Sequence, residues 1–498
     1  MDERPIFRLI PPSPPPHSNS AEKKYQPPER SALASQVAPS LALIRRPSVC
    51  RRHSPTTTTK ENTMTHREES RGLLFGMPLS LIWGYIAIAL FMTGDGIELA
   101  FLSRYVVDLG FSATQASLLF TVYGLLAALS GWSSGVLADV FGPRRIMRIG
   151  VAAWILFHAL FLVFGLEEKN FSLMVLFYGI RGLAYPLFIY AFVVWVAQVT
   201  PRARLASAMG WYWTMYSIGI GFLGTYLPSF SIPHIGFMGT LWMAIAWVAT
   251  AGAMVVFLVK DRQAEDSGAS RNPAERFHEL GRGVTILFRH RGILVAAIVR
   301  IICNLTLFGF PVIMPLFFTS PEVGFSMEQW LRIWGALFIV TIFTNVMWGL
   351  IGDRIGWVFQ MRWFGCAGCA LATLAFYYVP LAYGASFPAA VLAAAALGVG
   401  VSAFVPMGAI FPAMAPEHKG AAISAHNLAA GLSNFMGPAI ATLSISAVGV
   451  EGVVWIYASL YLVGVVLTYF IHVEQPGLEH KARSGPRIPH SSNASKAI

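Results

Sequence analysis

Three charged residues stand inside apolar stretches of this 498-residue chain. Asp95 and Glu98 lie in LIWGYIAIALFMTGDGIELAFLS, and Arg181 lies in LMVLFYGIRGLAYPLFIYAF. A charge deep in a bilayer costs roughly 2.5–3.5 kcal/mol on insertion scales, so one that persists lines a pathway or pairs with a partner. A carboxylate poised between desolvation and a neighbouring cation can exchange a proton. The plain alternative is a static ion pair that holds two helices together.

Such residues need membrane helices to position them, and the composition supplies these. The chain is 55% hydrophobic and only 12% charged, where a soluble protein carries about 25% charged residues. Its mean hydropathy is +0.58, and the apolar residues fall in blocks of about 20, enough to span roughly 30 Å of hydrocarbon. The chain reads as a polytopic membrane protein. A net charge of +11 does not point to nucleic acid, because the basic residues sit in the tails and in alternate loops.

Twelve spans are expected, at 79–103, 114–138, 146–166, 172–199, 205–230, 237–259, 293–319, 330–352, 361–381, 386–412, 420–447 and 452–472. One set of loops carries Arg144, Arg145 and Arg148; Arg202 and Arg204; seven basic residues from Lys260 to Arg291; Arg354 and Arg362; and Lys419. The opposite set carries Arg104 and Lys169 alone. The basic set is therefore expected in the cytoplasm, together with both termini, in an inner membrane.

Residues 1–70, with PPSPPP and TTTT, cannot bury a core and read as a disordered tail. They contain no apolar signal-peptide core, their acids disfavour a transit peptide, and Met64 and Met77 are alternative starts. The expected organisation is a tail (1–70), a six-helix half (71–260), a cytoplasmic linker (261–292), a second six-helix half (293–472) and a cytoplasmic tail (473–498).

On geometry, the three charges can meet. Asp95 lies eight residues before Ser103 on an outward span, and Arg181 nine residues after Ser172 on an inward one. At 1.5 Å per residue both sit roughly 12–14 Å below the outer face, near the midplane. Glu98, at i+3 from Asp95, is expected on the same helix face.

Other chemistries find no support. Cys303, Cys366 and Cys369 fall in apolar spans and Cys50 in the tail; Cys366 and Cys369 have CxxC spacing without a second ligand pair, so they read as packing residues. No Walker loop and no HExxH motif occurs. No metal and no cofactor is expected, and no enzyme activity.

A repeated motif follows spans two and eight: GVLADVFGPRR, with Gly135, Asp139, Gly142 and Arg144, and GLIGDRIGWVF, with Gly349, Asp353, Arg354 and Gly356. The glycines permit a tight turn between helices. An Asp near a helix C-terminus opposes the local dipole and needs a partner. Two copies at equivalent places in a six-plus-six arrangement argue against chance.

The motif resembles the cytoplasmic loop G-x-x-x-D-R-x-G-R-R/K of the major facilitator superfamily. The first copy has Val140 and Pro143 where the family prefers arginine, and the second has Trp357 and Val358 in place of the basic pair. The resemblance implies that these residues gate access and do not touch substrate. Over about residues 76–472, the strings GMPLSLIWGYIAIALFMTGDGIELAFLS, FYGIRGLAYPLFIY and LPSFSIPHIGFMGTLW are similar to the polyol permease branch, the ribitol and D-arabinitol transporters. That implies an all-α bundle of twelve transmembrane helices in two halves, importing a pentitol by proton symport with alternating access. Arg181 occupies the place of a fourth-span arginine that the superfamily associates with proton coupling, so Asp95, Glu98 and Arg181 are the expected coupling residues.

A sugar alcohol offers hydroxyls and no charge, so its site should supply donors, acceptors and aromatic faces. Besides Asp95 and Glu98, the expected lining is Tyr185, Tyr190, Trp213, Tyr216, Asn304, Asn345, His426 and Asn427, with Trp211 and Asn434 in the same spans. Polar residues in both halves suit a midplane site between repeats. The expected partners are a neutral polyol, H⁺ and the bilayer, with the chain a monomer. His158 reads as a packed, hydrogen-bonded histidine, and Arg300 as a residue that either snorkels or functions. Two rivals are a transporter of an organic anion or sugar phosphate, clamped by Arg181 and Arg300, and a transport-dead sensor. Acids matching the core arginines disfavour the first. The absence of a recognisable signalling domain in the tail disfavours the second.

Overall fold

A chain in lipid must satisfy its own backbone, and an uninterrupted apolar block does so as a helix. The computed structural model describes residues 73–74, 77–200, 205–259, 281, 284–417 and 419–475. Every element described belongs to the unit Met64–Ile498. The expected tail 1–70, most of the linker 261–292 and the chain beyond 475 lie outside the described residues.

Among the described residues, ten helices are long and apolar enough to cross a membrane. Two of them, Ala208–Phe257 and Ala421–Phe470, have 50 residues each. At 1.5 Å per residue each would run about 75 Å, more than twice the hydrocarbon thickness. Each breaks at a glycine in the left-handed region, Gly236 at φ 70° and Gly449 at φ 65°. Each is thus a pair of spans, and the total is twelve. A two-residue antiparallel pairing, Leu73–Leu74 with Met77–Pro78, precedes the first span.

The remaining spans are Leu79–Gly96, Ala113–Phe141, Pro143–Glu167, Phe171–Val199, Arg291–Phe318, Met327–Ile355, Trp357–Tyr383 and Phe387–Met414. Spans two and eight show the internal repeat most plainly. Both have 29 residues, both open on a capping box (Ser112 with Gln115, Ser326 with Gln329), and both close on a positive-φ glycine, Gly142 at 88° and Gly356 at 102°.

A second regularity separates the structure from the sequence reading. Spans one, four, seven and ten are each interrupted: between Gly96 and Leu102, Arg181 and Ala184, Ile302 and Leu305, and Ser402 and Met407. An interrupted helix frees carbonyls that lipid cannot satisfy. At each break a side chain from another span donates to one of them. Trp330 Nε1 donates to Ala100 O at 2.7 Å, Ser130 Oγ to Leu183 O at 2.6 Å, Tyr461 OH to Cys303 O at 3.2 Å and Gln360 Nε2 to Ala403 O at 2.9 Å.

Hydrogen bonds between the two halves gather at one end. Among the described residues they are Ser103 Oγ to Pro311 O at 3.1 Å, Trp330 to Ala100, Thr121 Oγ1 with Thr442 Oγ1 at 2.8 Å, and Asn434 Nδ2 to Tyr185 OH at 2.7 Å. All lie between the Ser103 end and the middle of the spans. Toward the Arg144 end, a side chain at Gly135 or Gly349 would meet open space.

Candidate functional site

The break in span one shapes the charged cluster. Asp95 is in the last turn of the helix Ile82–Gly96, and Glu98 follows in the turn that frees Ala100. The expected shared helix face is therefore replaced by a turn, yet both carboxylates reach Arg181 at the equivalent break in span four. They do so unequally. Arg181 Nη1 donates to Glu98 Oε2 at 2.9 Å and Nη2 donates to Glu98 Oε1, a two-pronged ion pair. Asp95 Oδ1 lies 3.9 Å from Nη2. It accepts instead from Trp154 Nε1 at 2.7 Å and from Tyr123 OH at 3.2 Å.

Aromatic rings enclose the guanidinium, with centroids at 4.6 Å for Tyr178, 4.9 Å for Trp154 and 5.3 Å for Tyr123. Cation–π contacts of this kind contribute about 2 kcal/mol each when desolvated. His158 completes the shell. Its Nε2 faces Leu241 O at 3.1 Å and its Nδ1 faces Arg181 Nη1 at 2.5 Å. The carbonyl can only accept and the guanidinium can only donate, so the proton sits on Nε2 and Nδ1 is the acceptor. With neutral His158, the cluster holds two carboxylates and one fixed cation. It is one proton short of neutrality.

Asp95 is also the member that meets open space. A cavity between the halves holds about 790 Å³ of empty space, its mouth included, and is lined by Asp95, Leu99, Phe120, Tyr123, Tyr185, Tyr216, Ile220, Thr225, Leu307, Phe308, Pro311, Trp334, Phe338, Asn434 and Pro438. Tyr185 stacks on Tyr123 with centroids 6.0 Å apart and accepts the bond from Asn434. One carboxylate, three phenolic hydroxyls and an amide thus face aromatic and aliphatic walls.

Of the expected lining, Asp95, Tyr185 and Tyr216 line this cavity. Glu98 is fully buried behind it. Tyr190 lies more than one turn beyond Tyr185, toward the Arg144 end. Trp213 is 49% exposed and meets Tyr212 and Tyr216 edge-on. Asn304 sits at the break in span seven beside the Cys303 thiol, and Asn345 is half-buried in span eight. His426 and Asn427 are two turns from the cavity on span eleven, hydrogen-bonded to each other, and His426 accepts from Arg300. The sequence reading did not select Trp154, Tyr123 or Tyr178. Their signal was available: a buried carboxylate needs donors, Trp154 stands four residues before His158, and Tyr178 three before Arg181.

A model of the Major Facilitator Superfamily matches residues 84–392 and 368–496. This chain belongs to that superfamily. A D-arabinitol transporter of Klebsiella pneumoniae is 53% identical over 406 residues, 82% of this chain and 95% of that protein. A ribitol transporter of Klebsiella pneumoniae is 53% identical over 414 residues, 83% of this chain and 96% of that protein. The crystal structure of the nucleoside transporter NupG matches with a TM-score of 0.63 at 15% identity, over 80% of this chain and all of that one, which is a likeness of fold.

The superfamily's loop motif takes two geometries here. In the first copy Asp139 accepts from Gln198 Nε2 of span four at 3.3 Å, and Arg144 donates to the Val255 and Val256 carbonyls that end span six. A cation on a helix C-terminus suits the macrodipole. In the second, Asp353 accepts from Trp357 Nε1 at 3.1 Å, and Arg354 is exposed. Gln475 bridges that turn, accepting from Trp357 N at 2.8 Å and donating to Gly352 O at 3.1 Å. Gly142 and Gly356 make the turns, whereas Gly135 and Gly349 stand inside the helices.

Proposed function

We propose that this chain imports a sugar alcohol, a pentitol such as ribitol or D-arabinitol, by proton symport with alternating access. Identity of 53% to transporters of both pentitols supports the substrate class. The cavity agrees with it. Hydroxyls on Tyr123, Tyr185 and Tyr216, the Asn434 amide and Asp95 can serve a row of substrate hydroxyls, while Trp334 and Phe338 cover the C–H faces.

The observation that carries the reading is the unequal sharing of Arg181. Glu98 is its permanent counter-ion, and Asp95 is left as the cavity-lining acid of a cluster one proton short of neutral. A proton arriving with the pentitol completes the charge balance, so the loaded cluster is sealed from water as access alternates more readily than one that holds pentitol alone. Asp95 releases that proton after the substrate leaves.

The basic loops put the Arg144 end in the cytoplasm of an inner-membrane protein with both termini inside. The bonded Ser103 end then faces outward, and this state opens inward. Return requires the bonds at Ser103, Trp330, Thr121 and Asn434 to part while the faces around Gly135 and Gly349 close. We assign the transporting unit as a monomer, since both halves of the cavity come from one chain.

The experiment is uptake by vesicles holding the purified full chain. Labelled D-arabinitol and ribitol should exchange with internal pentitol, and an inside-alkaline gradient should drive accumulation that a protonophore abolishes. Absence of exchange for both pentitols sinks the substrate assignment. Accumulation driven by Na⁺ and indifferent to pH sinks the proton.

A further inference from the structure

Arg300 lies nine residues into span seven, roughly 14 Å along the helix from its start at Arg291, and its partners are neutral. Nε donates to His426 Nε2 at 3.2 Å and Nη1 to Cys303 Sγ at 2.8 Å. Because His426 Nε2 accepts, its proton is on Nδ1, which donates to Asn427 Oδ1 at 3.3 Å. Phe411 stands edge-on to the imidazole with centroids 5.1 Å apart, fixing its plane. Among the described residues, no carboxylate lies within ion-pair distance of Arg300, and its Nη2 has no hydrogen-bonding partner.

The contrast with Arg181 is informative. Both arginines stand next to the break in their span, one in each half. Arg181 is neutralised by Glu98, and Arg300 by no carboxylate among the described residues. A guanidinium half-buried in a membrane bundle without a carboxylate partner is unfavourable unless water or an anion reaches it. Its place suits one. His426 is eight residues, about 12 Å, before the cavity residue Asn434 on span eleven. The group therefore lies where spans seven and eleven meet, on the Arg144 side of the cavity. The planar fork of arginine matches a carboxylate, and a single fixed cation balances one negative charge rather than two.

We propose that Arg300, oriented by His426, is a carboxylate-binding subsite that extends the substrate range to polyhydroxy monocarboxylic acids, the sugar acids. The inference rests on the pentitol reading of the cavity two turns further along span eleven, toward which the hydroxylated end of such an acid would extend.

The test uses the purified full chain and D-arabinonate as the probe, with D-arabinitol and inorganic phosphate beside it. Labelled D-arabinonate should bind, and D-arabinitol should displace it. In Arg300→Gln the affinity for D-arabinonate relative to D-arabinitol should fall at least tenfold. Arg300→Lys should lose several-fold, since an ammonium cannot form the fork, and it decides the matter if the glutamine variant does not fold. No binding of D-arabinonate by the parent overturns the proposal and leaves the pentitol reading standing. An unchanged affinity ratio in the variants overturns it as well. Phosphate displacing D-arabinonate as effectively as D-arabinitol does would overturn the monocarboxylate assignment. Arg300-dependent binding of D-arabinonate without any binding of D-arabinitol supports the subsite and refutes the pentitol reading.

Discussion

Arg181 gives both terminal nitrogens to Glu98, a residue 83 positions earlier in the chain, and the pair is sealed from solvent on every side. Asp95 is three residues from Glu98 and only 3.9 Å from the same guanidinium, yet Trp154 and Tyr123 hold it. Two acids that look interchangeable in sequence thus have separate surroundings, one sealed with the guanidinium and one open to the cavity. Substitutions at Asp95, Arg181, Tyr185, Asn434 and Asp139 probe those surroundings and the motions around them.

Asp95→Asn should abolish accumulation of D-arabinitol driven by a pH gradient. Exchange of external for internal pentitol should persist at a reduced rate, because exchange needs alternation but no net proton movement. The measurement is uptake against counterflow in the same vesicles. Parental accumulation in the variant would move the coupling role away from Asp95.

Arg181→Ala leaves two acids facing each other in a dry interior. Breaking a buried pair from one side costs about 3–5 kcal/mol, and three aromatic rings lose their cation as well. The variant should unfold at clearly lower temperature in detergent than Asp95→Asn does. Equal thermal stability of the two would contradict the division of labour between Glu98 and Asp95.

The spans themselves were legible because an apolar block of about 20 residues has one solution in lipid. Expected and observed ends agree within a few residues for most of them. The breaks in spans one, four, seven and ten were hidden for the same reason: each block stays apolar enough on both sides to read as one span, even with Glu98 and Asn304 at two of the breaks, and the groups that satisfy the freed carbonyls come from distant spans. The charged cluster was legible because charge in lipid is rare. Its donors were not, since aromatic residues occur along every span and composition does not say which face looks inward. Asn304 and Asn345 were expected in the cavity on amide chemistry alone; Asn304 stands in the break of span seven beside Cys303 and Asn345 is half-buried in span eight, and neither is among the cavity-lining residues.

The bond from Asn434 to Tyr185 ties the halves together beside the cavity. A hydrogen bond of this type contributes about 0.5–1.5 kcal/mol net. Tyr185→Phe should therefore weaken the state bonded at the Ser103 end by that amount and slow exchange several-fold or less. Combined with Asn434→Ala it should add less than the two separate effects, since both remove one bond. Full additivity in a double-mutant cycle, measured on pentitol affinity, would show that the bond carries nothing.

Asp139 accepts from Gln198 at the Arg144 end, well away from the cavity. If the superfamily motif acts here as a gate, Asp139→Asn changes the balance between the two access states without touching the substrate groups. The expected outcome is a lower rate of exchange with D-arabinitol affinity within about twofold of the parent, a difference of under 0.5 kcal/mol. A single cysteine placed on the open Arg144 side, in a background lacking the native thiols, should change its labelling rate in the same variant. Affinity falling tenfold with labelling unchanged would place Asp139 in the substrate site's support and not in the gate.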